Sequence, residues 1–128
     1  MTARFDALGV VVADVPRALA FYRRLGLEFP EGAESEQHVE ATLPGGMRFM
    51  LDAEEMIRSI EPEWQRPSGS SIGLAFLCES AADVDVVYAD LTGAGYESHK
   101  EPWDAFWGQR YAQLRDPDGH VVDLFAPL

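Results

Sequence analysis

The stretch WGQRYAQLRDPDGHVVDLFAPL, from Trp107 to Leu128, predicts a strand, a tight turn and a second strand. The second strand carries a single carboxylate, Asp123, within the otherwise apolar run VVDLF. A buried carboxylate is costly unless it has a hydrogen-bonding partner, a metal or a raised pKa. The partner of Asp123 is therefore the first functional question that the sequence raises.

The composition limits the classes of protein to consider. A chain of 128 residues with 47% hydrophobic and 25% charged residues is typical of one globular domain. The net charge of -12 argues against nucleic-acid binding, because a phosphate backbone would be repelled. No stretch approaches the ~20 apolar residues that a membrane span needs. The only cysteine, Cys78, cannot form an intrachain disulfide, so we expect a cytoplasmic protein.

The chain contains an internal repeat. In the first half, the apolar run ALGVVVADV precedes PRALAFYRRLGLEF, a predicted helix with Asp14 as its N-cap and Gly26 as its stop. In the second half, GLAFLC precedes SAADVDVVYADLTGAG, a second predicted helix closed by glycine. Alignment of the halves places Tyr22 on Tyr88. Each half therefore begins with a strand followed by a helix.

The halves also end alike, because GMRFMLD (46–52) aligns with GHVVDLF (119–125). Gly45-Gly46 and Asp118-Gly119 each lie between strand-like runs, a pattern typical of two-residue hairpins. Each half thus predicts a βαβββ module, including a short strand after the helix. We expect one α+β domain over residues 1–128. Module one covers about 4–52, a connection with a short helix about 53–70, and module two about 71–128.

These features together resemble the vicinal oxygen chelate superfamily, which includes glyoxalase I, extradiol dioxygenases and bleomycin-resistance proteins. The resemblance rests on the paired modules, on VVADVPRALAFYRRLGLEF and on RDPDGHVVDLF. It implies two modules that form a cupped, barrel-like mixed sheet with helices outside. It also implies a homodimer.

The resemblance further implies four metal-ligand positions, one on the first and one on the last strand of each module. In this chain the positions correspond to Ala7, Met50, Gly73 and Asp123. Only Asp123 has a side chain that can hold such a metal, and one carboxylate is too few. A register slip would offer Asp52 in place of Met50 and Ser71 in place of Gly73, but neither predicted first strand has a histidine to supply an imidazole ligand. We therefore expect no metal and no other cofactor.

Other polar side chains remain open to more than one interpretation. His38 and Glu40 form an i, i+2 pair on one face of a predicted strand, which points either inward or to solvent. Asp123 either binds a cationic or hydroxyl-bearing ligand or is neutralised by Arg48, Arg110 or His38. For Arg110, a salt bridge is favoured over a role as a ligand anchor in this acid-rich chain.

Aromatic residues are concentrated just before the final hairpin, in PWDAFWGQRY. A concave sheet lined with aromatic and methionine side chains is a reasonable small-molecule pocket, although such clusters also form cores and dimer interfaces. By the resemblance, Trp107 faces the ligand cavity. The predicted ligand-binding residues are Trp103, Phe106, Trp107, Tyr111, Phe49, Met50, His38, Glu40 and Asp123.

The sequence favours a binding protein without catalytic residues. It would hold a hydrophobic or aromatic molecule, such as an antibiotic or a secondary metabolite, and confer resistance by sequestration. The alternative is a metal-dependent lyase, isomerase or dioxygenase with the atypical ligand set His38, Glu40, Asp52 and Asp123. A metal-free enzyme with Asp123 or Glu40 as general base is a third hypothesis.

Overall fold

The computed structural model describes residues 2–69 and 71–128. The chain divides into two compact units, of which unit 1 ends at Arg66 and unit 2 begins at Pro67. Each unit combines a mixed sheet with at least one helix, so the predicted α+β class is confirmed.

Unit 1 contains a three-stranded sheet with the strand order β1-β3-β2. Strand β1 pairs with β3 in parallel, and β2 pairs with β3 antiparallel. The elements in chain order are β1 (Ala7–Val12), α1 (Val15–Arg24), a 3-10 helix (Ala33–Ser35), β2 (His38–Thr42), β3 (Arg48–Ala53) and α2 (Glu54–Ile60). The short helix predicted after the first module is α2.

Helix α1 forms where the sequence predicts it. The Asp14 side chain accepts a hydrogen bond from the backbone N–H of Arg17 at 2.9 Å, which caps the helix. Gly26 follows the helix end with a φ of 97°, a conformation that glycine adopts without strain. The helix buries Tyr22 completely, and the Tyr22 ring lies 5.0 Å from the ring of Phe49 on β3. The core of unit 1 therefore lies between α1 and one face of the sheet.

The strand predicted after α1 is absent from the described part of unit 1, so the βαβββ prediction is wrong for this half. Residues 29–36 align with the corresponding strand of unit 2, but they form a loop and the 3-10 helix. Pro30 lacks a backbone donor, and Gly32 has a φ of 79° that interrupts an extended chain. Arg23 of α1 binds the Pro30 carbonyl at 3.0 Å and the Glu34 carboxylate at 2.7 Å. These contacts tie the segment to the helix.

Unit 2 has the complete predicted module, with the strand order β4-β7-β6-β5. Its elements are β4 (Leu74–Leu77), α3 (Ala81–Gly93), β5 (Ser98–Ala105), β6 (Gln109–Arg115) and β7 (Val121–Pro127). Strand β4 pairs with β7 in parallel, and the remaining pairs are antiparallel. Alternate residues of β6 and β7 are buried, whereas Tyr111, Gln113, Asp123 and Phe125 on the other face are only half-buried.

The two hairpin loops contain three residues each rather than the predicted two. In unit 1, Leu43 and Met47 close the loop through a backbone hydrogen bond of 2.7 Å. In unit 2, Asp116 and His120 close the equivalent loop at 2.9 Å. The residue that the prediction left out is the first of each loop, Pro44 or Pro117, because the hydrogen bonds close one position earlier on that side. The last residue of each loop, Gly46 or Gly119, has the positive φ that three-residue hairpin loops require.

The Asp116 side chain stabilises the second loop. It is buried, and its Oδ1 accepts hydrogen bonds from the backbone N–H groups of Asp118 and His120, both at 2.9 Å. We expect Asp116→Ala to lower the free energy of unfolding by about 2 kcal/mol, because two backbone donors lose their acceptor. Asp116→Asn retains an oxygen at that position and should lose less than half as much. Urea denaturation of both variants tests this, and equal losses would contradict it.

Candidate functional site

The sheet of unit 2 carries an aromatic cluster, which we define as Trp103, Phe106, Trp107, Tyr111 and Phe125. Trp103 lies on β5, Tyr111 on β6 and Phe125 on β7, while Phe106 and Trp107 occupy the β5–β6 turn. Tyr111 is central: its ring centroid lies 5.5 Å from Trp103, 5.4 Å from Trp107 and 6.1 Å from Phe125. The strand pairing of β5, β6 and β7 thus assembles the rings into one surface.

Part of the aromatic cluster is open to solvent. Phe106 is 97% exposed and Trp107 is 49% exposed, although their rings meet edge to face at 5.0 Å. The Trp107 Nε1 donates a hydrogen bond to the Gln109 side chain at 2.8 Å, which fixes the orientation of the indole. The Lys100 Nζ lies 4.0 Å from the centre of the Trp103 ring, a cation–π contact. The cluster therefore offers oriented apolar area rather than a closed core.

Asp123 lies beside the aromatic cluster and has two hydrogen-bonding partners. The Tyr111 hydroxyl donates to its Oδ2 at 2.5 Å, and the Gln113 side-chain amide donates to its Oδ1 at 3.0 Å. Burial, followed by the hydrogen bond and the charge of Asp123, raises the pKa of Tyr111 to about 12. The phenol therefore remains a donor across the physiological range of pH. Each carboxylate oxygen retains a lone pair that can accept a further hydrogen bond.

The sequence did not predict these partners of Asp123. The cations suggested for it have other partners: Arg48 pairs with Asp6 and Glu40 at 2.7 Å, and Arg110 pairs with Asp85 and Asp104. The salt bridge favoured for Arg110 is thus confirmed. Gln113 was missed, although residues two apart share a strand face and the hairpin places Gln113 directly opposite Asp123.

The face of the unit 1 sheet opposite to its core carries an ionic network instead of aromatic rings. His38 lies between two carboxylates, with its Nδ1 against Asp52 and its Nε2 2.8 Å from Glu40. The Arg48 guanidinium extends the network from Glu40 to Asp6. Strand pairing explains the arrangement, because His38 lies opposite Asp52 and Glu40 lies opposite Met50 across the β2–β3 pair. Asp6 is a member that sequence reasoning missed.

The network changes the acidity of its members. The hydrogen bond with Asp52, and then that with Glu40, raises the pKa of His38 above its ordinary value. The hydrogen bond with His38, assisted by the charge of Arg48, lowers the pKa of Glu40. The contacts with Asp6 and Glu40 raise the pKa of Arg48 further. The network therefore favours a protonated His38 and an ionised Glu40.

The remaining predicted site residues of unit 1 lie on opposite faces of β3. Met50 is half-buried on the same face as Glu40. Phe49 is 3% exposed and packs against Tyr22 in the core. Its ring is therefore covered within unit 1, and Phe49 contributes to the core of that unit.

The donor set does not fit a divalent metal of the kind that the superfamily holds. Strand pairing places Gly9 of β1 beside Met50 of β3, and Ala75 of β4 beside Asp123 of β7. Apart from Asp123, none of these residues has a side-chain donor that such a metal prefers. A Cβ added at Gly9 would already lie 3.4 Å from Met50 and Asp52 atoms. Within residues 2–69 and 71–128, no three His, Cys, Asp or Glu side chains converge as a metal site would require.

The atypical set does not supply such a site either. Both imidazole nitrogens of His38 face carboxylates, so neither has a lone pair directed toward a shared point with Glu40 and Asp52. The arrangement is suited to holding an imidazolium ion between two carboxylates. The chemistry that it supports is charge pairing and proton exchange.

The raised pKa of His38 generates a pH-dependent prediction. A proton titration followed by NMR should give His38 a pKa above the ordinary value of about 6.5. Since the folded value is raised, the stabilising contribution is complete below the unfolded pKa and is lost as the pH rises through the folded pKa. Asp52→Asn should lower the pKa of His38 more than Glu40→Gln does. A titration at or below 6.5 would show that the network does not form.

Comparisons with known proteins agree with this architecture. The Glyoxalase/Bleomycin resistance protein/Dioxygenase superfamily matches residues 4–124 of the chain. The uncharacterized protein YraH of Bacillus subtilis (strain 168) is 27% identical over 122 residues, which cover 93% of this chain and 94% of that protein. In the part of this chain that the structure describes, no helix has the length and apolar character needed to cross a membrane.

Solved structures show the same fold. A glyoxalase/bleomycin resistance protein/dioxygenase family enzyme from Burkholderia phytofirmans PsJN matches with a TM-score of 0.84 and 21% identity, over 98% of this chain and all (100%) of the other. A protein of unknown function from Agrobacterium tumefaciens str. C58 matches with a TM-score of 0.75 and 26% identity, over 100% and 97% of the two chains. The chain described here belongs to the Glyoxalase/Bleomycin resistance protein/Dioxygenase superfamily.

Proposed function

We propose that this protein binds a flat hydrophobic or aromatic molecule without a metal, and that it acts by sequestration rather than by catalysis. The observation that carries the proposal is the aromatic cluster of unit 2, which lies beside the hydrogen-bonded carboxylate of Asp123. An antibiotic or a secondary metabolite is the class of ligand that this combination suits.

The apolar part of the binding energy comes from the rings. Trp107 and Phe106 already present exposed area, and Tyr111 and Trp103 lie behind them at edge-to-face distances. A ring of a ligand that stacks on this surface gains roughly 0.5–1.5 kcal/mol per aromatic pair beyond the burial of area. Because the Trp107 indole is held by Gln109, little orientational freedom is lost on binding.

The polar part of the binding energy comes from Asp123. Tyr111 and Gln113 hold the carboxylate in one orientation, and the lone pairs that remain can accept from a hydroxyl or an ammonium group. A few fixed polar groups beside apolar area are typical of small-molecule sites. The net charge of -12 adds a general attraction for cationic ligands. The preferred ligand is therefore aromatic and carries a hydrogen-bond donor.

Binding of a planar cationic dye tests the role of the cluster. We expect ethidium to quench part of the tryptophan fluorescence in a saturable manner, with a stoichiometry of about one and no chemical change in the dye. Trp103→Leu and Trp107→Leu should each weaken binding by roughly 2- to 10-fold, the equivalent of one lost aromatic contact.

The third tryptophan provides the matched control. Trp64 belongs to unit 1, where its ring lies 5.1 Å from the Arg58 guanidinium carbon, and it is no part of the aromatic cluster. Trp64→Leu should therefore leave the affinity for ethidium unchanged. Equal losses in all three variants, or binding that persists without Trp103 and Trp107, would refute the proposed site.

Metal content separates the proposal from the metal-dependent alternative. After exposure to Zn, Ni, Mn and Fe followed by dialysis, we expect elemental mass spectrometry to find far less than one equivalent of metal, because the four family positions offer one carboxylate. One equivalent, lost in Asp123→Ala or in His38→Ala, would support an enzyme with the set His38, Glu40, Asp52 and Asp123.

A homodimer also remains a prediction, for which sedimentation is the direct measurement.

A further inference from the structure

Unit 1 lacks the strand that covers the sheet edge in unit 2. In unit 2 the order β4-β7-β6-β5 places the eight-residue strand β5 at the edge, next to β6. In unit 1 the order β1-β3-β2 leaves β2, the counterpart of β6, as the last strand. We call the side of β2 that faces away from β3 the open edge.

The hydrogen-bonding phase of β2 identifies the groups on the open edge. The Ala53 N–H bonds to the Gln37 carbonyl, and the Leu43 N–H bonds to the Met47 carbonyl. In an antiparallel pair the bonded residues alternate, so 39 and 41 also bond toward β3. The N–H and C=O groups of His38, Glu40 and Thr42 therefore point away from β3. Among the described residues, no backbone hydrogen bond reaches them.

A cavity of about 430 Å³ lies along this strand. Residues 30–33 and Glu36 form one wall, and β2 forms the other. The lining includes Val39 from one face of the sheet and His38, Glu40 and Thr42 from the other. Residues from both faces share a cavity when it lies beside the strand rather than above the sheet, so there is space next to the unpaired backbone groups.

We propose that the open edge binds an extended, basic segment of another protein, which adds to the sheet as its fourth strand. Unpaired N–H and C=O groups on an edge strand are a template for pairing with an extended chain. The bound segment would occupy the position that β5 has in unit 2. This inference is independent of the small-molecule site, since all its residues lie in unit 1.

The charge of the cavity determines the chemistry of the segment. Glu31 and Glu36 both line the cavity. Alternation along β2 puts Glu40 on the accessible face and the apolar Val39 and Ala41 on the other. The complementary strand alternates lysine or arginine with small apolar residues.

A second copy of this chain is a poorer occupant. Pairing of two β2 strands about a two-fold axis would bring together Glu31, Glu36 and Glu40 of both copies. Each chain also carries a net charge of -12. Like charges that face each other across a strand pair are destabilising. The electrostatics therefore favour a cationic partner.

The probe for this proposal is a fluorescein-labelled hexapeptide of alternating lysine and valine, measured by fluorescence anisotropy with the full chain. We expect saturable binding that weakens with salt and is absent for the matched glutamate–valine peptide. Two N-methylated versions, each blocking alternate amides, separate backbone pairing from charge attraction. The version that blocks the amides facing β2 should bind about tenfold or more weakly, and the other should bind like the parent.

Variants of the protein provide a second test of backbone pairing at the open edge. Thr42→Pro removes one outward N–H from the open edge without removing a bond to β3, a position at which edge strands tolerate proline. Thr42→Val keeps that N–H and is the matched control. Thr42→Pro should lose most of the peptide affinity while Thr42→Val retains it. Glu31→Gln with Glu36→Gln should weaken binding and reduce its salt dependence.

Three outcomes would overturn the proposal. The first is equal affinity of the two N-methylated peptides, which would show attraction by charge alone. The second is unchanged binding to a folded Thr42→Pro. The third is a wild-type dimer, detected by sedimentation, that Thr42→Pro and not Thr42→Val converts to monomer, because a second copy would then be the occupant. The N-methylated peptides decide the question even where Thr42→Pro does not fold.

Discussion

The parallel pairing of the first strand with the last in each unit, β1 with β3 and β4 with β7, determines where a site can form. A parallel connection needs a crossover, and here the crossover contains the helix. In each unit the helix covers one face of the sheet and buries the alternate apolar residues there, including Leu51 in unit 1 and Leu124 in unit 2. The opposite face is left for residues that do not build the core.

The two units use that opposite face differently. In unit 1, histidine, arginine and carboxylates satisfy one another across β2 and β3. In unit 2, the same positions of the sheet hold tyrosine and phenylalanine, with the carboxylate of Asp123 bonded to neutral donors. A network of mutually paired ions has little binding capacity left over. Rings around a carboxylate that is held by neutral partners retain both apolar area and an acceptor, so unit 2 is the better ligand-binding surface.

Local signals in the sequence were sufficient for much of the fold. The Asp14 cap and the Gly26 stop predicted helix α1 from neighbouring residues, and the repeat extended the strand and helix order to the second half. The parallel pairing of the first and last strands was not predicted. For the missing strand of unit 1, Pro30 and Gly32 were local signals against an extended chain that the prediction did not use. The contact of Arg23 with the Pro30 carbonyl, which ties the segment to α1, is not visible in any local pattern. For the site, the aromatic cluster was visible as a dense run, but the partners of Asp123 depend on cross-strand register. Counting from a three-residue rather than a two-residue loop would have found Gln113.

The open edge of β2 also bears on the colloidal behaviour of the protein. An uncovered edge can pair with a neighbouring chain, and natural sheets limit this by placing charge along the edge. Here Glu31, Glu36 and the overall charge of -12 supply that repulsion at long range. Such repulsion extends about 10 Å at 0.1 M ionic strength and about 3 Å at 1 M. Concentrated salt therefore removes the barrier that keeps the edges of separate molecules apart, and dilute buffers preserve it.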